Sequence, residues 1–267
     1  MLGAVMIAAV LASTGTANTL AAQSSSSTFF RQSDAVFLGG ALAAAALTSL
    51  FDSRLAAQWS ATGEHDKAFH QLATVGASVG GGGPIALSVG MFAVGHVAHR
   101  AKLAALGKWG IEAVAISGSA TLLIKGLAGR TRPFAAAGDV GNYRLGRGFR
   151  NDSFASFPSG HTSAAFAVAT VLARGTADDA PRTHYIVSSF AYTAATLIGI
   201  SRLYANKHWT SDVVVGAALG ITSGLAVVRD AHGARPRTDE SRLAFLASHT
   251  SIAPAPRGGI TLAFSAQ

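Results

Sequence analysis

SRLYANKHWTSD, residues 201–212, interrupts a chain that is apolar on both sides of it. No charged residue occurs from Ile186 to Ile200 or from Val213 to Val228. Both flanks read as helices, and the segment joining them offers Ser201, Arg202, His208 and Asp212. It is either the wet end of two helices or a reactive site held between them. His208 and Asp212 are four residues apart, so a helix starting near His208 puts both on one face. Asp212 would then accept the Nδ1 proton of His208 and leave Nε2 as a bare nucleophile. The plainer alternative is a helix N-terminus with an acidic residue in its first turn. Arg202 would meet an anion bidentately.

Composition narrows the setting. Charged residues make up 13% of the 267-residue chain and hydrophobic residues 49%, with a mean hydropathy of +0.36. The charged share is about half that of a typical soluble domain, and abundant Gly and Ala suit close helix packing in a membrane. A net charge of +8 favours anionic partners: headgroups or phosphorylated substrates. No basic run is interleaved with aromatics and no zinc-finger spacing occurs, so nucleic acid is not an expected partner. The absence of cysteine excludes disulfides and thiolate chemistry.

Residues 1–22 read as a secretory signal or a short N-terminal anchor: Leu2–Ala12 is apolar, and Ala21-Ala22 precede Gln23, although no Lys or Arg opens the segment. A Ser-rich linker covers 23–34. An all-α body, a bundle of about six core helices embedded in or associated with a membrane, is expected over 35–230. Its helices are placed at Ala35–Phe51, Leu72–Val97, Leu103–Leu127, Gly160–Ala173, Tyr185–Ile200 and Ser211–Val228. The second should be kinked or broken by GGGG at 80–83 and Pro84. A loop of about 30 residues, 128–157, is long enough to be functional. The tail, 231–267, ends in two short β-prone stretches around Arg257-Gly258-Gly259, which suggests a hairpin.

Two further polar islands sit at helix boundaries. PSGH at 158–161 precedes an apolar run. Ser159 and Gly160 at a helix start leave N–H groups and the positive dipole end facing outward, a site for an anion; the alternative is a plain N-cap followed by a surface histidine. KGLAGRTRP at 125–133 places Lys125 and Arg132 around the end of a helix, where, taken alone, a snorkelling interfacial pair is the favoured reading. Together the islands supply three cations, a backbone anion cradle, one oriented histidine and a second histidine. That set fits phosphoryl transfer, and none of it requires a metal. His96 and His99 have no carboxylate or third ligand beside them.

K-x6-RP at 125–133, PSGH at 158–161 and SR-x5-H-x3-D at 201–212 resemble the three signature motifs of the type 2 phosphatidic acid phosphatase and vanadium haloperoxidase superfamily. All defining positions are filled in order, with 24 residues between Pro133 and Pro158 and 39 between His161 and Ser201. The resemblance spans about residues 35–230. It implies that His208 is the nucleophile, forming a phosphohistidine; that Asp212 orients it; and that His161 protonates the leaving alkoxide and then activates water. It also implies that Lys125, Arg132, Arg202, Ser159 and the Gly160 amide hold the phosphate. Ser201 is assigned no firmer part than a loop hydrogen bond.

The activity so implied is metal-independent hydrolysis of phosphomonoesters or diphosphates, with lipid phosphates such as phosphatidate favoured by the apolar composition. No cofactor is expected, although vanadate could occupy the phosphate site. The alternatives are a soluble periplasmic acid phosphatase of broad specificity, a vanadate-dependent haloperoxidase, and a membrane protein that binds lipid or phosphate without turnover. Six spans with a cytoplasmic N-terminus would put Arg100, Lys102 and Lys108 inside and the motifs on the periplasmic face of the cell envelope. A cleaved signal would invert that order unless several of the helices are not spans. Phe154 and Phe157, beside PSGH, are candidates to line an acyl-chain entrance. Oligomeric state is not legible.

Overall fold

The computed structural model describes residues 29–65, 67–136, 138–233, 250–254 and 260–264. The signal-like segment 1–22 lies outside them. Two compact units divide at Arg229/Asp230. The second holds an antiparallel hairpin, β1 (Thr250–Pro254) with β2 (Ile260–Phe264), in which Thr250 pairs with Phe264 and Pro254 with Ile260.

The first unit is helical: α1 (Gln32–Ser49), α2 (Asp52–His65), α3 (Lys67–Val97), α4 (Ala101–Ala128), the short α5 (Pro133–Ala136), α6 (Gly160–Gly175), α7 (Pro181–Tyr204) and α8 (Thr210–Gly233). Single 3₁₀ turns at Arg147–Phe149 and Asp152–Phe154 punctuate the long loop before α6. Helix α2 was not expected. It leaves the end of α1 at a 71° bend and packs against α3 and α7, where Trp59 and Phe69 both meet the Tyr204 ring.

Helix α3 corrects a second expectation: it runs unbroken through Gly80–Gly83, with Pro84 inside it. The glycines serve approach rather than breakage. A methyl group on Gly76 would strike the Ser201 hydroxyl, and one on Gly80 would meet Ile198 and the His161 ring. The run lets α7 and the start of α6 lie directly on α3.

A similar device joins α6 to α8. Gly216, Gly220 and Gly224 recur every four residues along one face of α8. A Cβ there would meet the carbonyl oxygens of Ser159 at 2.5 Å, Ser163 at 2.2 Å and Ala167 at 2.8 Å. The contact extends into a core of Leu106 and Ala113 from α4, Ala167 and Val171 from α6, and Val227 and Val228 from α8.

Helices α3, α4, α7 and α8 are each long and apolar enough to cross a membrane, and α1 with α2 could form a fifth, broken span. Six spans are not found among the described residues. At 16 residues α6 falls short, and much of it is buried against its neighbours. Large apolar side chains such as Leu50, Val75, Val97, Leu122, Ile186 and Phe190 stay exposed on the outside of the bundle, a surface suited to lipid rather than water.

Gly220→Val should push α8 off the Ser163 carbonyl and destabilise the fold by about 2 kcal/mol or more. Gly82→Ala, where nothing lies within 4 Å of the new methyl group, should be neutral or stabilising by up to about 1 kcal/mol. Thermal unfolding of the two proteins in detergent compares them directly.

Candidate active site

Antiparallel helices bring three sequence islands to one end of the bundle. The end of α4 supplies Lys125, the start of α6 supplies Ser159 to His161, and the α7–α8 turn supplies Arg202 to Asp212. Helix α4 stops because Gly129 adopts a left-handed backbone, φ 57°, and donates its N–H to the Lys125 carbonyl. A side chain there would also meet the Arg144 carbonyl at 1.9 Å. The α7–α8 turn closes through Asn206, again left-handed at φ 54°.

The first and third islands are fastened side by side. The Trp209 indole donates to the Thr131 carbonyl at 2.8 Å, the Phe134 N–H to Asn206 at 3.3 Å and the Arg132 guanidinium to Lys207 at 3.2 Å. Lys207, which fits no motif position, lies over the Phe134 ring at 4.5 Å. The second island docks onto the third when the Ser159 N–H donates to the Asp212 carbonyl at 3.0 Å. Ser159 is the N-cap residue of α6, yet its side chain makes no cap bond. Its hydroxyl accepts from Thr162 at 2.8 Å instead.

Asp212 is fully buried and crowded with donors. Arg130 reaches Oδ1 at 2.5 Å, while Ser156 at 2.5 Å and the Trp209 N–H at 2.9 Å reach Oδ2. His208 Nδ1 is 3.6 Å from Oδ2, longer than a hydrogen bond, and has no other partner. Burial, together with the nearby positive charges of Lys125 and Arg132, outweighs Asp212 and pushes the His208 imidazolium down to about 3. Burial, then Arg202, also takes His161 down to about 4. Both rings are therefore neutral near pH 7. The His161 ring rests on Gly80 and Gly81 and is bonded to the Ala77 backbone, so the glycine run seats this histidine.

The three cations are held differently. Lys125 donates to the carbonyls of Ala155 at 2.7 Å and Ser156 at 3.3 Å. Arg132 is braced by the Asp152 carboxylate at 2.6 Å and the Asp152 carbonyl at 2.8 Å. Arg202 is buried, and its Nε and one terminal nitrogen have no partner at all. Gly160 lies beside Lys125, its missing Cβ 3.8 Å from that side chain. Ser201 faces away: its hydroxyl returns to the Ile198 carbonyl at 2.7 Å against Gly76, so it serves helix packing and not the loop.

Sequence reasoning passed over Arg130, Ser156 and Asp52. Arg130 is buried among Asp212, Ser211 and Asp52, and Tyr143 and Trp209 offer it their rings. A signal did exist for Asp52, the only acidic residue between Asp34 and Glu64, placed at the end of an apolar run. Phe154 lies under the Arg147 guanidinium and Phe157 against Tyr143. Among the described residues, no three His, Cys, Asp or Glu side chains cluster as a metal site.

The family model of the PAP2 superfamily matches residues 109–236, which contain every one of these motif positions. Over that stretch the chain is similar to the PAP2 superfamily. A lipid A 1-phosphatase from Porphyromonas gingivalis is 46% identical over 88 residues, 32% of this chain and 19% of that relative. The match thus spans about a fifth of the relative's length. Among solved structures, the transmembrane PAP2-type phosphatidylglycerolphosphate phosphatase of Bacillus subtilis shares the fold. Its TM-score is 0.59 at 23% identity, covering 77% of this chain and 98% of that one. Aquifex aeolicus LpxE gives a TM-score of 0.49 at 24% identity, covering 67% and 95% of the two chains. The four helices long and apolar enough to cross a membrane support a membrane location.

Two buried guanidinium nitrogens without acceptors cost the fold about 1–3 kcal/mol. Arg202→Met should therefore raise the melting temperature of the ligand-free protein. It should also abolish the upward shift that phosphate or vanadate gives the parent, and a thermal scan with and without the anion reads both effects.

Proposed function

We propose that this protein is a phosphatase of the PAP2 type that hydrolyses lipid phosphates through a phosphohistidine at His208, without a metal. The observation that carries the reading is the pair of partnerless Arg202 nitrogens beside Lys125, Arg132 and two neutral histidines. Such a pocket is built for a phosphate that brings its own charge.

In the proposed first step, His208 Nε2 attacks phosphorus and the bond to the substrate alkoxide breaks. His161 delivers a proton to that alkoxide. The entering phosphate dianion offsets the neighbouring cations and so favours the imidazolium form that His161 needs. Asp212 stabilises the charge arising on His208, while Lys125, Arg132, Arg202, Ser159 and the Gly160 amide neutralise the equatorial oxygens. In the second step His161 takes a proton from water, whose oxygen attacks phosphorus and returns His208 to its free form. The exposed apolar flanks, and a relative named for a lipid A phosphate, support a lipid substrate.

Phosphate release should favour phosphatidate and lipid A-type 1-phosphates over p-nitrophenyl phosphate in detergent, and should persist in EDTA. His208→Ala should lower it by about three orders of magnitude or more. Equal use of soluble and lipid esters would favour the broad acid phosphatase, and loss of activity in EDTA would refute the metal-free chemistry.

We further propose that the site faces the periplasm. The opposite end of the bundle carries Arg31, Arg100, Lys102, Arg174, Arg182 and Arg229 near helix ends, as the positive-inside rule asks of a cytoplasmic face. At the site end Arg130, Arg132 and Arg202 are buried, while Arg144 and Arg150 stay exposed in the long loop. The chain has no cysteine, so single cysteines report orientation without background. A thiol at Leu145, which is 86% exposed, should react with an impermeant maleimide in spheroplasts. One at Arg100 should react only after lysis, and the reverse pattern would invert the orientation.

A further inference from the structure

Outside the motif residues, the most developed polar arrangement is a buried chain of charge leading away from Asp212. Asp52 opens α2, is fully buried, and binds Arg130 at 2.9 Å; Arg130, 1% exposed, binds Asp212 at 2.5 Å. Two carboxylates thus share one guanidinium. We propose that Asp52 and Arg130 are positioning residues that aim the Asp212 carboxylate at His208 and keep it electron-rich. This rests on the reading of His208 as nucleophile.

Geometry supports the aiming. Arg130 takes Oδ1 of Asp212 and so leaves Oδ2 turned toward His208 Nδ1. Arg130 is itself fixed on several sides. Its second terminal nitrogen is held by Asp52 and by the Val140 carbonyl at 3.2 Å, and its face lies 5.1 Å from the Tyr143 ring centroid and 5.3 Å from that of Trp209. Asp52 also accepts the Ser211 N–H at 3.1 Å and the Ser211 hydroxyl, and so holds the residue next to Asp212. Ser211 Oγ lies 2.7 Å from the Arg130 nitrogen that reaches Asp212. The bend between α1 and α2 therefore ends on the nucleophile's partner.

Charge supports the second part. An isolated Arg130–Asp212 pair would be closed, with the guanidinium drawing the carboxylate's negative charge away from the imidazole. Sharing Arg130 with Asp52 leaves the triad one net negative charge. It faces a ring that becomes cationic as phosphate transfers, with Lys125 and Arg132 as the opposing cations near His208. Stability alone does not call for this arrangement, because a well-packed apolar trio often serves as well as buried ion pairs.

Asp52→Asn tests the proposal by keeping the side chain's shape while removing its charge. Its kcat on a lipid phosphate should fall about 10- to 100-fold, while KM and the inhibition constant for vanadate stay within about twofold of the parent. In an Arg130→Gln background the same change should cost less than about twofold, since Asp52 acts through Arg130. Arg130→Lys keeps the charge but lacks the fork, so it should also lower kcat at unchanged vanadate inhibition; it decides the matter where Asp52→Asn does not accumulate. Parental kcat in either single variant, kcat and vanadate affinity lost in parallel, or losses that add in the double variant would each overturn the proposal. His208→Ala is measured alongside. If it stays active, the phosphohistidine reading fails; if it is inactive while Asp52→Asn is normal, only the positioning role fails.

Discussion

A carboxylate removed from water must be matched by donors on nearly every side, and in this protein that demand falls on Asp212. It is met by Arg130 from the end of the first motif, Ser156 from the long loop and the Trp209 N–H from its own turn. Each donor arrives from a different stretch of chain. A single buried acid thus closes segments 130–134, 155–161 and 206–212 around one point. The energetic asymmetry explains why the closure is strict: leaving such a charge without partners costs several kcal/mol, whereas each bond contributes only about 1 kcal/mol net.

That convergence needs helices closer than ordinary side chains allow. The Gly216, Gly220 and Gly224 face lets α8 touch the backbone of α6, which sets the Ser159 N–H onto the Asp212 carbonyl. Gly76, Gly80 and Gly81 do the same for α3 against α7 and His161. In an apolar surrounding, where burial of oily side chains gives little drive for helices to associate, close backbone contact is a main source of cohesion. The glycines are therefore part of the site's construction as much as of the fold's.

How much of this could be read from the chain follows from the range of each interaction. His208 and Asp212 are one helical turn apart, so their shared face was legible, as was the helix start at Gly160. Lys125, Arg132 and Arg202 were legible as cations at helix ends. Asp52 was not, because its partners lie 78 and 159 residues away and a lone acid after an apolar run looks like an ordinary helix start. Pro84 misled for a related reason. The local rule says proline after a glycine run breaks a helix, but packing of α3 against α4, α6 and α7 holds the helix continuous. Glycine spacing on α3 and α8 was present in the sequence, yet a tolerance for close approach becomes visible only once the neighbouring helix is known.

Net charge among the clustered cations is the remaining tension. Lys125 and Arg132 have carbonyl and carboxylate acceptors within the protein, whereas two nitrogens of Arg202 are left over. A helix end in a membrane protein could have accommodated this residue by letting it snorkel toward water, but Arg202 is only 5% exposed. The fold thus keeps a guanidinium dehydrated and incompletely bonded, a state less stable than its solvated alternative. An anion with several oxygen acceptors, as the proposed substrate has, would remove that penalty on entering, and part of its affinity would come from relieving the protein rather than from new contact alone. Planar carboxylates offer two acceptor oxygens, while the phosphate of the proposed substrate offers more. The unsatisfied nitrogens therefore favour a tetrahedral ligand over other anions of similar charge.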